Sequence, residues 1–185
     1  MVRIKAFPAE MQFSAARTRI AGLMAAVFVC MIGVASAESA RKAASALPDR
    51  YRSKIVRISA DNGAPDPPQW YFVSRATHSA DGILSITVRN GKIVQQKTSL
   101  DLRVLLGDFT PINLSQVLVD SRGAYDIAKR YVAARNRKLG SASFLLDQKG
   151  EGASPIWSVW CYDPDTRYIG LMKVLASTGD VIFWE

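Results

Sequence analysis

Two stretches of this chain follow the same order of sequence features, and this internal repeat constrains the fold more than any other feature. Pro68-Gln69-Trp70 in the first half matches Pro155-Ile156-Trp157 in the second. An apolar run precedes each tryptophan, and a glycine follows each at nearly the same spacing, Gly91 in the first half and Gly179 in the second. A repeat of this size usually represents one supersecondary unit that is used twice.

The second half predicts a helix followed by an antiparallel meander. Asp120 or Ser121 can cap the helix, and Gly140 is a natural end for it. Its apolar positions form one stripe at helical spacing, made of Ala124, Ile127, Ala128, Tyr131 and Val132. Strands are then expected near residues 143–148, 156–163, 168–176 and 181–184, and Gly179 suits the hairpin between the last two.

The first half predicts the same plan. A helix is expected from Ser39 to about Leu47, and strands are expected near residues 54–60, 69–77, 82–89 and 92–98. Asn90-Gly91 between two apolar runs is a strong hairpin signal. The proline-rich stretch from Ala60 to Gln69 predicts a loop. Between the halves, the alternation from Leu100 to Leu106 suggests one more strand, and residues 114–119 suggest another.

We therefore predict an α+β fold made of two tandem helix-plus-antiparallel-meander units within a single compact domain. The expected organisation is a cleavable signal peptide over residues 1–37, a first unit over 38–98, a connecting segment over 99–117 and a second unit over 118–185.

The N-terminal residues read as an export signal. Arg17 and Arg19 precede an almost wholly apolar run from Ile20 to Val34, and Ala35-Ser36-Ala37 supplies small residues at a cleavage site. The apolar run is shorter than the ~20 residues of a membrane-spanning helix. We predict cleavage after Ala37 and a periplasmic or secreted protein. Met1 and Met11 serve equally well as the first residue.

The chain has a formal net charge of +8, and its basic residues collect in two segments. One segment runs from Arg41 to Arg57, and the other runs from Arg122 to Lys138 through the predicted helix. Basic clusters bind nucleic acids or anionic surfaces. An exported protein rarely meets nucleic acid, so we expect no nucleic-acid partner. Peripheral contact with an anionic membrane and a merely solvated helix face both remain open.

Few residues in the sequence suit catalysis or metal binding. His78 is the single histidine, and Cys161 is the one cysteine that follows the predicted signal. We expect Cys161 to be a buried strand residue, because free cysteine is among the most buried residue types. One His and one Cys cannot form the usual tetrahedral metal site. Asp163-Pro164-Asp165-Thr166 is typical of a turn, with a weak calcium site as the alternative. We therefore predict no enzyme, no metal and no cofactor.

Alternation along the last strands places aromatic rings on both faces of the predicted second sheet. Two arrangements follow. The units share one sheet or stack, which makes these rings core, or one aromatic face stays exposed. The exposed face is the candidate partner-binding surface, formed by Trp160, Tyr162 and Trp184 with Arg130 and Arg137 at its rim.

The second half resembles a PepSY domain, and the whole chain resembles a tandem PepSY-like protein. The resemblance is carried by Asp120-Ser121 before the helix, by the P-x-W-x-V strand that begins at Pro155, and by Thr178-Gly179-Asp180-Val181. It covers about residues 118–185 and, more faintly, 40–98. It implies an exported or membrane-associated protein without enzymatic activity that binds proteins or peptides, in some cases restraining peptidases.

These observations predict an exported, non-enzymatic binding module that recognises a protein or peptide in the cell envelope. The alternative is an envelope structural protein or a protein of anionic lipid surfaces without a specific peptide ligand. A third hypothesis is an enzyme with Cys161 as nucleophile. The sequence leaves the partner and the oligomeric state open.

Overall fold

The computed structural model describes residues 39–63, 65–75, 82–99, 110–150 and 152–185. The predictions for the signal peptide, for His78 and for the strand from Leu100 to Leu106 lie outside these residues.

The described chain consists of short helices and eight strands. The helices are α1 (Ala40–Ser45), α2 (Asp49–Arg52) and α3 (Ser121–Ala133), with a 3-10 turn at Leu114–Gln116. The strands are β1 (Ile55–Gly63), β2 (Gln69–Arg75), β3 (Ile83–Arg89), β4 (Lys92–Ser99), β5 (Ser141–Asp147), β6 (Ile156–Tyr162), β7 (Tyr168–Leu175) and β8 (Val181–Trp184). No helix within the described ranges is both long enough and apolar enough to cross a membrane.

All eight strands form one antiparallel sheet in the order β4-β3-β2-β1-β5-β6-β7-β8. The pairing of β1 with β5 makes the sheet continuous, with Ile58 opposite Leu146 and Ala60 opposite Phe144. The predicted α+β fold of two tandem helix-plus-antiparallel-meander units is therefore wrong. The fold is dominated by a single sheet, and the helices before its two halves are unlike, because α1 and α2 have six and four residues whereas α3 has thirteen.

The physical reason for the single sheet is the cost of unpaired strand edges. In two separate meanders, β1 and β5 would each present a row of unpaired N–H and C=O groups, and an unpaired buried backbone group costs about as much as a lost hydrogen bond. Pairing β1 with β5 satisfies both rows. It also joins the apolar faces of the two meanders into one surface.

The hydrophobic core lies on one face of this sheet, beneath the helices. Trp70, Trp157 and Phe144 are fully buried, and their ring centroids lie 6.0 to 6.4 Å apart. These rings come from β2, β5 and β6, and they meet above β1 because Ala60 adds little bulk there. The helices cover this surface with small residues, which allow a close approach: Ala40, Ala43 and Ala44 from α1 and Ala124 and Ala128 from α3.

Most local predictions are confirmed. Asp120 is the N-cap of α3, and its side chain accepts a hydrogen bond from the Ser121 amide at 2.7 Å. Asn90 and Gly91 both take positive φ values, 51° and 69°, as a two-residue hairpin turn requires.

Three local predictions are wrong. The α3 helix ends at Ala133, well before Gly140, and Asn136 with a φ of 57° follows it in the left-handed region. β1 extends through Gly63 into the stretch predicted as a loop. Residues 114–119 contain a 3-10 turn, not a strand, because the Asn113 side chain caps Ser115 and turns the chain there.

Candidate functional site

The described helices and the side chains they bury belong to one cluster on a single face of the sheet, which we call the covered face. On the other face, the first half of the sheet carries a second, smaller cluster in which Val56 and Ile83 are buried against Val73. On β5 to β8 the uncovered face carries apolar and aromatic side chains that each keep part of their surface exposed. We call this surface the open face, and its members are Leu145, Ile156, Trp160, Tyr162, Leu171, Leu175 and Phe183.

Strand register brings the open-face side chains together. Trp160 on β6 lies directly opposite Leu171 on β7, so the two point out of the same face. Tyr162 follows two residues after Trp160 on that face, and its ring centroid lies 6.2 Å from that of Tyr168 in an edge-to-face arrangement. Phe183 on β8 is 40% exposed. Ser143, Ser158 and Lys173 lie among these apolar side chains on the same face.

Charged side chains are interspersed on the same face. Asp147 on β5 lies opposite Arg57 on β1, and the Lys173 ammonium lies 5.3 Å from the ring centroid of Phe183. Burial raises the pKa of the Asp147 carboxyl, although Arg57, Lys149 and Lys173 oppose the rise. The open face therefore carries charged side chains as well as apolar ones.

The structure does not bring all the predicted partner-binding residues onto this face. Trp160 and Tyr162 lie together on it, but Trp184 lies on the covered face. Trp184 pairs with Met172, which is fully buried in the core, and its ring centroid is 5.2 Å from that of Tyr131 on α3. The Arg135 guanidinium lies 3.6 Å from the centroid of the Tyr131 ring and 5.6 Å from that of Trp184. Trp184 thus attaches the last strand to α3.

The two predicted rim arginines do not border the open face either. Arg130 is an exposed residue of α3, which packs on the opposite side of the sheet. Arg137 follows α3, and its Nη1 donates a hydrogen bond to the carbonyl oxygen of Ile169 at 3.2 Å. Arg137 therefore links the segment after α3 to the start of β7.

Cys161 is completely buried on the covered face of β6. Its sulfur lies 3.7 Å from the Val159 carbonyl oxygen, and burial raises the pKa of the thiol to about 12. A thiol acts as a nucleophile through its thiolate, which is scarce at neutral pH when the pKa is this high. This position does not suit the nucleophile of the third hypothesis.

The Asp163-to-Thr166 segment is a turn, as the sequence predicts. Thr166 adopts a φ of 64° and its amide donates to the Asp163 carbonyl at 3.0 Å, while an Asp163 carboxylate oxygen accepts from the Arg167 amide at 2.8 Å. Within the described ranges, no three His, Cys, Asp or Glu side chains group in a way that could hold a metal ion.

The described part of the chain also contains a cleft that the sequence did not reveal. It has a volume of about 770 Å³ and lies between α1 and α2 on one side and residues 111–117 on the other. Its floor is formed by Ile58, Leu146 and Trp157 of the covered sheet face. The local sequence gave no signal for it, because part of its second wall, residues 114–117, falls in the stretch predicted as a strand.

Hydrogen bonds between distant residues hold the walls of this cleft. The Ala40 amide donates to the Ser121 hydroxyl at 3.0 Å, and the Arg41 amide donates to the Asp120 carboxylate at 3.2 Å. The Arg41 side chain crosses to the opposite wall and donates to the Val117 carbonyl at 2.9 Å. The N-terminal ends of α1 and α3 are thereby joined at one end of the cleft.

Comparison of the chain with protein-family models, with curated proteins and with solved structures finds no match.

Proposed function

We propose that this protein is an exported, non-enzymatic binding module that recognises a protein or peptide partner in the cell envelope through the open face. The observation that carries the proposal is the set of partly exposed apolar and aromatic side chains on β5 to β8 that no helix in the described ranges covers. Exposed apolar patches mark interaction sites in soluble proteins.

The composition of the open face supports a protein partner. Trp160 and Tyr162 are the residue types that contribute most to protein interfaces, because each offers a large contact area and a polar group. They stand on strands paired on both sides, so little conformational freedom would be lost on binding. The export of the chain and its PepSY-like character remain predictions from the sequence, and they place the partner in the envelope.

The lipid-surface alternative has less support from the basic segment around α3. Arg122 lies 3.5 Å from the Asp66 carboxylate, Arg135 stacks on Tyr131, and Arg137 donates to Ile169. Three of the segment's six cations thus make contacts within the protein, whereas Lys129, Arg130 and Lys138 are exposed.

Site-specific photo-crosslinking tests the proposal. Full-length chain with p-benzoylphenylalanine in place of Tyr162 is produced in an exporting host, and the envelope fraction is irradiated. We expect a discrete crosslinked protein species. The matched control carries the same group at Leu118, which is 70% exposed and lies just before α3, away from the open face.

Two open-face variants complete the test. Trp160→Ala and Leu171→Ala should each leave the melting temperature close to that of the parent and remove the crosslink from position 162. The proposal is wrong if position 162 gives no discrete adduct, gives the same adducts as position 118, or keeps its adduct in both variants.

A further inference from the structure

The two basic segments of the sequence lie on the same side of the molecule. The first segment forms α1 and α2, the second forms α3, and these helices all pack on the covered face of the sheet. Hydrogen bonds join the starts of α1 and α3, because the Ala40 amide donates to the Ser121 hydroxyl at 3.0 Å. We call this surface the basic side, and its cations are Arg41, Lys42, Arg50, Arg52, Arg122, Lys129, Arg130, Arg135, Arg137 and Lys138.

The basic side keeps a positive charge after its carboxylates are counted. Its ten cations outnumber the three carboxylates of the same segments, Asp49, Asp120 and Asp126. The neighbouring turns add Asp66, Asp163, Asp165 and Asp180 together with Arg167, which leaves a surplus of four positive charges. Arg41 and Arg135 contact a carbonyl oxygen and an aromatic ring, and such contacts leave the charge in place. A surplus of this kind attracts an anionic surface.

The cations of α3 point away from the core. Arg122, Lys129 and Arg130 are exposed, whereas Ala124, Ala128 and Val132 on the opposite side of the helix are fully buried. Lys138, which follows the helix, is also exposed. The charges of this segment are therefore available to a large flat partner as well as to solvent.

Leu118 is an exposed apolar residue within the basic side. It is 70% exposed, the largest value among the bulky apolar side chains of the described residues. Val117 before it accepts from the Arg41 guanidinium, and Asp120 after it accepts from the Arg41 amide, so Leu118 lies between the starts of α1 and α3. A leucine adds little to the binding of a polyanion such as nucleic acid. In a bilayer it can enter the acyl boundary while the surrounding cations contact headgroups.

From the charge of the basic side and the position of Leu118 we infer that this side binds the surface of an anionic lipid bilayer. Lys and Arg side chains contact the headgroups, and Leu118 enters the boundary beneath them. The support comes from the two segments together, since the segment around α3 supplies only six of the ten cations. The helices then face the membrane and the open face points away from it, so this contact is additional to the proposed function.

Co-sedimentation with lipid vesicles tests the inference on soluble protein produced by export of the full-length chain. Vesicles that contain equal amounts of phosphatidylglycerol and phosphatidylcholine should bind the protein at low salt, and vesicles of phosphatidylcholine alone should not. Raising the salt from about 50 mM to about 500 mM should release the protein, because salt screens the attraction between exposed charges.

Matched variants assign the contact to the basic side. Lys129→Gln/Arg130→Gln/Lys138→Gln should lower the partition coefficient for anionic vesicles at least about tenfold. Arg89→Gln/Lys92→Gln/Lys97→Gln removes three exposed cations from β3 and β4 and should leave it unchanged. Leu118→Ser should lower it about fivefold, because the apolar side chain is lost. Val94→Ser should not, although Val94 on β4 is 54% exposed.

The inference is wrong if anionic vesicles do not bind the protein at low salt, if neutral vesicles bind it equally, or if the two triple variants lose binding to the same extent. It is also wrong if Leu118→Ser binds vesicles like the parent and a single-stranded DNA oligonucleotide binds as tightly, since the basic side is then a general polyanion surface. Crosslinking from position 162 reports on the opposite face of the sheet, so failure of one proposal is distinguishable from failure of the other.

Discussion

The Cys161 side chain is fully buried in β6, and its sulfur lies 3.7 Å from the Val159 carbonyl oxygen. Burial in apolar surroundings disfavours the charged thiolate, so the pKa of the thiol rises to about 12. We predict that alkylating reagents leave Cys161 unmodified in the folded protein at pH 8 and modify it at once in denaturant. Peptide mapping after alkylation measures this, and rapid modification of the folded protein would contradict the assigned burial.

The same pKa shift predicts a pH dependence of stability. The folded state holds the Cys161 proton to about pH 12, whereas the unfolded chain releases it near pH 9.0. Above pH 9.0 the folded state therefore binds more protons than the unfolded state, and the free energy of unfolding falls as pH rises, by up to about 1.4 kcal/mol per pH unit. Below that pH the contribution is fully present.

Comparison with Cys161→Ala isolates this effect, because the other titrating groups are common to both proteins. Urea unfolding at several pH values above 9.0 should give a steeper loss of stability for the parent than for the variant. Equal slopes would show that Cys161 does not hold its proton in the folded state.

Gly170 is the glycine on which the position of Trp184 depends. A Cβ atom at Gly170 would lie 2.5 Å from the Trp184 ring and 2.5 Å from the Glu185 carbonyl oxygen, and the residue has a φ of 153°. We predict that Gly170→Ala lowers the free energy of unfolding by about 1–3 kcal/mol, the usual cost of overpacking.

Gly152→Ala is the matched control for this prediction. Gly152 also has a positive φ, 77°, but a Cβ atom there meets nothing within 4 Å. The Gly152→Ala substitution should lower the free energy of unfolding only by the backbone strain of an alanine at positive φ. Urea denaturation compares the two, and an equal effect would show that the close approach of Trp184 is unimportant.

At the scale of elements, the start of α3 depends on Asp120. Its carboxylate accepts hydrogen bonds from the Ser121 amide and, across 79 residues of sequence, from the Arg41 amide of α1. We predict that Asp120→Ala lowers the free energy of unfolding by about 1–2 kcal/mol, the range for loss of an N-cap.

Asp126→Ala provides the comparison, since Asp126 is an exposed residue inside the same helix. An exposed position of this kind should change stability by less than about 0.5 kcal/mol. Chemical denaturation measures both variants. If Asp126→Ala lowered the free energy of unfolding as much as Asp120→Ala, the loss of a negative charge would explain both results. The loss of the N-cap hydrogen bonds at Asp120 would then not be the cause.

The elements that the sequence predicted are those fixed by local physics. The Asn90-Gly91 hairpin follows from the φ values that these residues tolerate, and the Asp120 cap follows from its place before an apolar stripe. Alternation along β6 places Trp160 and Tyr162 on one face and Cys161 on the other, as the register shows. Each of these sequence signals lies within a few residues of the turn, helix end or strand that it determines.

The features that the sequence did not predict depend on pairing between distant segments. Pairing of β1 with β5 decides between two sheets and one, and neither strand carries a local sign of its partner. Trp160 pairs with Leu171 whereas Trp184 pairs with Met172, and neighbouring residues of β7 point to opposite faces. Register therefore separates two tryptophans that strand patterns alone allowed to share a surface.

At the scale of the whole molecule, the eight strands form one sheet, and the two faces of this sheet have different roles. The covered face contains the core and, between the helices and residues 111–117, the cleft. The open face presents Trp160, Tyr162 and their neighbours on strands that are tied to the rest of the sheet. The shared core depends on this arrangement, whereas the open face lies wholly on β5 to β8.

Hydrogen exchange of the backbone amides, measured by mass spectrometry, tests the single sheet most directly. If β1 and β5 are central strands, the amides that pair them, around Ile58 and Leu146, exchange only through global unfolding and are at least as protected as those of β2 and β6. The edge strands β4 and β8 exchange fastest. Exchange of β1 and β5 at the rate of the edge strands, with the two halves of the chain opening independently, would contradict the continuous sheet.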